Sequence, residues 1–451
     1  MIRILTIKIP NNNLNERKYI IDILFGEFLG LEYDVKIENR KDYEIVLENR
    51  NKIIFEDNFF GNFPKDLEYL KEENIPKKIE FCKNDFISEN DIPIIYGTNK
   101  LIKNQSTITC GIDIFSSSFF MLTRWEEYVN KTRDIHNRFP ATESLAYKQG
   151  FLDRPIVNEY VEMLWNMLKY LGIKQRRKKR SFRVILTHDV DNLYMWKSWR
   201  QVGRVVIGDV VKRRNLNLAL ERVAEYFLIK RGKIKDPFDT FDWLMDKSEA
   251  IGVKSRFYFM SGGVTKYDNQ YKIDEPKSLE LIEKIKKRGH IIGIHPSYNA
   301  YNDFEQFKKE KELLEKIVNQ KITEGREHYL RFEVPTTWQI WEDNKMEIDS
   351  TCGYADKEGF RCGTGDEFCV FNILSRKKLR LKERSLVFMD DNHYTYSNIG
   401  LFDSIEIISN LIKKSNSYNS TITILFHNSI FFNKNRINFI SLYEKLLEEL
   451  K

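Results

Sequence analysis

The stretch Ser181-Phe-Arg-Val-Ile-Leu-Thr-His-Asp-Val-Asp-Asn192 decides how this chain is read. Phe182 to Leu186 is a short β-branched and aromatic run, the composition of a buried parallel strand. It stops at Thr187-His188-Asp189-Val190-Asp191, where two carboxylates and an imidazole fall within four residues. A carboxylate is costly to bury unless something pairs with it. Two Asp at i and i+2 just past a strand therefore point to a bound cation, or to an acid–base pair at the strand's C-terminal mouth. The bland alternative is that they cap a turn or the next helix.

On the C-terminal side of this stretch, strand and helix patterns alternate. Strands are expected at Ser255–Met260, His290–His295, Glu327–Phe332, Leu386–Met389 and Ser420–His427. The intervening helices are Trp199–Leu228 (long and basic), Thr240–Ala250, Pro276–Arg288, Phe304–Val318, Trp338–Met346, Ser404–Lys414 and Ile437–Leu450. Repeated strand–helix units imply an α/β fold with a parallel sheet, which right-handed crossovers can close into a (β/α) barrel. Ligands in such folds gather at the strands' C-terminal ends. Polar residues at those ends are Asp189 and Asp191, then His295, then His328 and Arg331, then His427. One strand-end His is usually structural; several ends converging on Asp, His and Arg is a more specific signal.

On the N-terminal side, Lys174-Gln-Arg-Arg-Lys-Lys-Arg180 reads as a solvated linker, or else as a contact for phosphate or an acidic glycan. It sets the expected boundary between a smaller α+β domain of unassigned role, residues 1–175, and a catalytic domain, residues 181–451. The first contains strand patterns at Ile2–Ile9, Tyr33–Ile37, Glu44–Leu47, Ile53–Glu56 and Ile92–Tyr96, with helices at Glu16–Leu29, Asp113–Glu127 and Pro155–Leu171. No catalytic cluster stands out in it.

Composition narrows the class. With 451 residues, 42% of them apolar and 31% charged, the chain can bury two cores and has the make-up of a soluble globular protein. A net charge of +7 is a weak bias toward acidic partners, and no nucleic-acid partner is expected. Five cysteines, odd in number and without zinc-site spacing, suit free thiols in a reducing compartment. Met1–Pro10 alternates like a strand and lacks the apolar core of a signal peptide. No run of about 18 apolar residues occurs, so the expected address is the cytoplasm. The basic region Arg200–Arg231, beside Trp196 and Trp199, suggests peripheral contact with an anionic membrane or an acidic glycan, against the plainer reading of a solvated face.

The strand-end motifs resemble those of the polysaccharide deacetylases, carbohydrate esterase family four. The chain looks like a divergent two-domain bacterial branch of the kind tied to surface-polysaccharide pathways. Thr187-His-Asp-Val-Asp191 is similar to that family's Thr-Phe-Asp-Asp, with one residue inserted, and Ile422–His427 is similar to its last motif. The resemblance covers residues of about 180 to 450 and implies a distorted (β/α) barrel that removes N-acetyl or O-acetyl groups from a glycan or its precursor. It implies Asp189 as general base, Asp191 as metal ligand and His427 as general acid. The family's second motif has two metal-binding His four residues apart; His295 matches the first, and Asn299 stands at the second. His328 is the candidate for the missing nitrogen. In a regular strand, positions 328 and 331 point to opposite faces, and Arg331, nearer the strand end and followed by Pro335, is favoured to face the mouth and orient Asp189. The implied cofactor is a divalent metal ion, zinc first, with manganese, cobalt or nickel as alternatives.

For the substrate, Tyr298, Arg361 in Gly359–Thr364 and Asp391 in Met389-Asp-Asp-Asn-His-Tyr394 are candidates for lining a sugar site, or belong to ordinary loops. Two readings from other classes stand beside the deacetylase. One is a catalytically silent glycan-binding homologue, suggested by Asn299. The other is a metal-dependent glycosyltransferase in which Asp189 and Asp191 hold a nucleotide sugar's diphosphate. Nothing in the sequence indicates the oligomeric state.

Overall fold

The computed structural model describes residues 4–268, 271–392, 400–431 and 439–450. His393 and Tyr394 of the expected pocket segment lie outside these ranges, as do the first residues of the N-terminal strand and of the last helix. The fold is mixed α/β, built on two large sheets.

The first sheet uses β1 (Leu5–Ile9), β2 (Tyr33–Ile37), β3 (Tyr43–Val46) and β4 (Lys52–Phe55), and beyond a small pair, β5 (Glu80–Cys82) with β6 (Ile92–Ile94), it takes in β7 (Gly97–Lys103) and β8 (Thr107–Ile112). Its order is β2-β1-β3-β4-β8-β7. Alternation decides the register: Leu5, Ile7 and Ile9 are fully buried on one face of β1, between a parallel β2 and an antiparallel β3.

The second sheet holds the motifs. It consists of β9 (Arg183–Val190), β10 (Arg256–Phe259), β11 (Ile291–Ile294), β12 (Glu324–Gly325), β13 (Ile348–Asp349), β14 (Phe368–Asn372), β15 (Lys377–Glu383), β16 (Leu386–Met389) and β17 (Thr421–Leu425). The order is β14-β15-β13-β12-β11-β10-β9-β17-β16, and every pairing but β14–β15 is parallel. The edge strands β14 and β16 do not pair with each other among the described residues, so the barrel is open. Helices cover the strands with one apolar face each: Phe241, Leu244 and Met245 in one, Leu281, Ile282 and Ile285 in another, Phe307, Leu314 and Val318 in a third. Because the parallel strands all run one way, their C-terminal ends collect Asp189, His295, Arg326, Asp390 and His427 on one rim.

Two expectations are corrected. Glu327–Phe332 is not a strand: β12 ends at Gly325, and His328–Leu330 is a single 3-10 turn with Tyr329 (φ 60°) and Leu330 (φ 53°) left-handed. Alternation across that segment therefore says nothing about which side chains face the mouth. The long basic helix is instead a hairpin, Trp199–Val211 and Leu216–Lys230, turned at a left-handed Arg214.

The two sheets share one continuous core, running from Leu5 to Leu447. The edge at β14 is covered rather than exposed: Cys369 accepts a hydrogen bond from Tyr19 Oη (2.9 Å) and donates its N–H to Glu27 (3.1 Å).

Candidate metal centre and active site

Strand alternation sorts the residues of β9. Thr187 and Asp189 share a face, and one guanidinium holds both: Arg326 Nη1 donates to Thr187 Oγ1 and to Asp189 Oδ1, each at 2.9 Å. Arg326 is fully buried and is itself fixed by Ser350, through Nε to the carbonyl (2.8 Å) and Nη2 to Oγ (3.1 Å). His188, between them, turns the other way. Its Nδ1 donates to Phe426 O (2.7 Å), and burial pushes its pKa down to about 4. It is a neutral core residue.

Past the strand end, Asp191 faces two imidazoles whose outer nitrogens are already committed. His295 Nδ1 donates to the carbonyl of Arg326 and His328 Nε2 to the carbonyl of Tyr267, both at 2.7 Å. With both rings neutral, the inner nitrogens, His295 Nε2 and His328 Nδ1, are lone-pair acceptors facing each other 2.9 Å apart. Asp191 Oδ1 lies 3.3 Å from the first and 3.7 Å from the second, is buried, and has no hydrogen-bond partner. Two lone pairs and a bare carboxylate oxygen converging on one point repel one another unless a positive charge sits among them. Outer hydrogen bonds that fix the tautomer are how metal-binding histidines are commonly held. Asp191, His295 and His328 thus fit a divalent cation, and two nitrogens with one carboxylate suit zinc or a neighbouring transition metal.

The opposite wall carries His427. Its backbone N–H donates to Asp390 Oδ2 (2.7 Å) and its Nδ1 to Asp390 Oδ1 (2.8 Å), so Nε2 faces the cavity, 3.8 Å from Asp191 Oδ2. Burial works against a charged ring here. The charge and hydrogen bond of Asp390, with Asp191 behind them, more than reverse it and hold His427 well above the usual histidine range. At His328 burial prevails and the pKa falls, whereas at His295 the neighbouring Asp189 and Asp191 overcome burial and raise it. Asp191 is itself resisted by burial but held below the usual carboxylate range by His328, His295 and His427.

These groups line a cavity of about 320 Å³, together with Arg138, Tyr329, Leu330, Met389, Asp391 and Ile430. The walls are mixed, with charged Asp, His and Arg side chains beside the buried apolar Leu330, Met389, Leu425 and Ile430, as expected of a pocket for a polar ligand carrying a small apolar group.

The structure brings together Asp189, Asp191, His295, His328, His427 and Asp391. It places the remaining candidates elsewhere. Arg331 does not reach Asp189; its guanidinium lies 4.0 Å from the ring centres of both Tyr298 and Tyr301, and it donates to the carbonyls of His136 (Nε, 2.9 Å) and Tyr298. Asn299 Oδ1 accepts from Arg331 (3.2 Å), and it is His328 that joins Asp191 and His295 in the candidate metal group. Tyr298 stacks on Tyr267 (4.5 Å) and hydrogen-bonds His136 (3.0 Å) behind the cavity wall. Arg361, 2% exposed, is locked to Glu127 by two hydrogen bonds and is no sugar clamp.

Three groups were missed in the sequence. Arg326 falls just before the expected strand Glu327–Phe332, which starts three residues after the observed one at Glu324. Asp390 follows the apolar run Leu386–Met389 just as Asp189 follows its own, a signal that was there to be used. Arg138 comes from the first half of the chain, where it is held by Asp134 (2.8 Å) and donates to Tyr329 O (3.1 Å); nothing local announces it.

Asp189 and Asp191 therefore serve different partners, a guanidinium and a pair of imidazoles, which is not how a diphosphate clamp uses two carboxylates. The fold and site define an open α/β barrel with a histidine–aspartate pocket that is a candidate metal site. Residues 5–172 match a family of unknown function, DUF7033. No curated protein matches the chain. Among solved structures, a candidate polysaccharide deacetylase from Mycobacterium smegmatis is 13% identical, over 60% of this chain and 85% of that one, with a TM-score of 0.39. The chitin deacetylase of the fungal pathogen Colletotrichum lindemuthianum is 13% identical over 60% and 82%, with a TM-score of 0.30. A CE4 family pseudoenzyme from Bacillus anthracis is 10% identical over 60% of each chain, with a TM-score of 0.29. Overlaps this slight transfer no residue roles.

Proposed function

We propose that this protein is a metal-dependent deacetylase that hydrolyses an N-acetyl or O-acetyl group on a glycan or glycan precursor. The observation that carries the reading is the set of fixed donors and acceptors around one cavity: a metal triad between an anchored carboxylate and an anchored imidazolium. Asp191, His295 and His328 would hold a divalent cation, which when bound would supply polarisation of the acyl carbonyl and a more acidic water. The chain's own residues divide the proton work. Asp189 has one oxygen on Arg326 and the other, 3.9 Å from His295, directed at the cavity, where it accepts the proton of the attacking water. Asp390 keeps His427 charged with its Nε2 proton facing the cavity, ready to pass to the departing amine, which leaves poorly as an anion. The buried leucine, methionine and isoleucine side chains in the lining suit an acetyl methyl.

The silent-homologue reading drew on Asn299, and His328 removes that ground. The geometry at Asp189 speaks against a glycosyltransferase clamp. The test is metal analysis of the purified protein combined with acetate release from a panel of acetylated amino sugars. Stoichiometric metal with acetate release supports the reading; a protein that binds no divalent ion and releases no acetate from any of them overturns it.

A further inference from the structure

Immediately after the metal ligand Asp191, the chain leaves the rim and builds a helical hairpin, Trp199–Val211 and Leu216–Lys230. Its charge is unusual for this protein. Residues 197–235 hold eleven Lys and Arg against three acidic residues, a balance of +8, while the whole chain carries only +7. The rest of the molecule is therefore close to neutral, and its positive charge is concentrated on one projection.

The hairpin also inverts the usual placement of apolar side chains. The two helices are joined by a buried ion pair, Asp209 with Arg222 at 2.7 Å, and by the small residues Val202 and Ala219. At its base, Trp196 Nε1 donates to Glu225 (3.3 Å) and Met195 N to Asp236 (2.8 Å). Apolar residues are left outside: Trp199, Ile207, Val211, Leu216, Leu220 and Phe227 are 45–68% exposed. Four of these six flank the turn Lys212-Arg-Arg-Asn215, about 20 Å along the helices from the base. Monomeric proteins rarely present such apolar clusters to water without a use.

We infer that this hairpin docks the protein on an anionic lipid surface, with its apolar tip in the headgroup–acyl boundary and its basic residues on the phosphates. Each half of the observation excludes a simpler occupant. A soluble polyanion would satisfy the charge but leave Ile207, Val211, Leu216 and Leu220 in water. A second copy would cover the apolar residues but bring +8 against +8. A lipid interface satisfies both at once. Since the hairpin springs from the same rim as the cavity, docking would bring that rim to the membrane. If the deacetylase reading holds, on which this last step rests, the substrate class is a lipid-linked acylated glycan.

Vesicle flotation of the full chain tests the docking without needing turnover. Phosphatidylcholine vesicles containing phosphatidylglycerol should carry the protein, and pure phosphatidylcholine vesicles should not. Lys212→Gln with Arg214→Gln should weaken partition by roughly fivefold per charge. Leu216→Ser with Leu220→Ser should weaken it by more than about tenfold, and Asp189→Asn should float like the wild type. Equal flotation on both vesicle types overturns the proposal. So does undiminished flotation of the leucine variant with competition by soluble polyglutamate, which would make the surface a polyanion site. Self-association abolished by the same leucine substitutions would make it a dimer face. Wild-type flotation of a protein that binds no divalent ion and releases no acetate would leave docking standing and remove the deacetylase; acetate release without flotation would do the reverse.

Discussion

Two histidines with their outer nitrogens spoken for make the strongest statement at the residue scale. Because backbone carbonyls of Arg326 and Tyr267 fix the tautomers, the neutral rings of His295 and His328 cannot turn a proton inward without losing a 2.7 Å hydrogen bond, and only an added positive charge, a second proton or a metal ion, reconciles them. His328→Ala should therefore lower bound metal by more than about tenfold, whereas Asn299→Ala, whose Oδ1 accepts from Arg331, should leave metal content unchanged. Equal losses in both variants, measured by elemental analysis, would put the ion elsewhere. Asp189→Asn retains the shape and one hydrogen-bond acceptor for Arg326 but is a far weaker proton acceptor. Acetate release should fall by about 10²–10⁴ with metal retained. Most of this site was legible as residue types, because a carboxylate or imidazole just past an apolar run is hard to explain as packing. What was not legible is the pairing. Arg326 and Arg331 are five positions apart, and which one reaches Asp189 depends on where β12 stops, a boundary that the sequence marks only weakly.

That boundary is set at the scale of the element by a glycine. A Cβ on Gly325 would stand 2.1 Å from the carbonyl oxygen of Ile294 and 2.7 Å from its Cγ2, closer than real atoms come. Gly325 lets β12 lie against β11, and the next three residues supply both Arg326 and His328. Gly325→Ala should force the strands apart, destabilising the fold by about 1–3 kcal/mol and lowering metal affinity, because Arg326 and His328 move with the strand. Gly203→Ala is the control: it sits in the hairpin's first helix with nothing within 4 Å, and alanine there should be neutral or stabilising by up to about 1 kcal/mol. Thermal unfolding and metal titration of the two variants check this contrast. The parallel strands β9, β10, β11 and β17 were readable as apolar runs between helix-period segments. β12 and β13, two residues each, were not, since neither is long enough to carry a pattern. The hairpin's turn escapes for a related reason: apolar helical spacing continues across Lys212–Asn215, where the left-handed Arg214 and the extended capping residue Asn215 break the helix.

Across the whole molecule, the two sheets meet through ions as well as through the shared core, and this junction lies beyond anything local sequence could show. Arg361 clasps Glu127 with its Nε (2.9 Å) and Nη2 (2.5 Å), Arg124 adds a third bond (Nε, 2.9 Å), and Arg124 Nη2 reaches Tyr354 Oη (3.0 Å). All of these side chains are buried, and Arg361→Ala leaves Glu127 with Arg124 as its one remaining guanidinium, so the loss should be about 3 kcal/mol of stability. Neighbouring Glu126 has a different lot: its main hydrogen bond is from a backbone amide, Leu145 N at 2.6 Å. The two carboxyls consequently titrate in opposite senses. Burial resists the charge on Glu127, but Arg361 and then Arg124 overcome it and lower the pKa from 4.5 to about 2. Its stabilising effect is therefore complete above pH 4.5 and fades as the pH falls toward 2. Burial of Glu126 outweighs Arg124 and raises its pKa from 4.5 to about 7, so folding takes up a proton there and stability fades as the pH rises from 4.5 to 7. Denaturant melts across this range should show Glu127→Gln reducing the acid-side slope alone and Glu126→Gln reducing only the slope between pH 4.5 and 7. If both variants altered the same limb, the junction would be titrating as one shared group, and the separate roles assigned to Arg361 and Leu145 would fall with it.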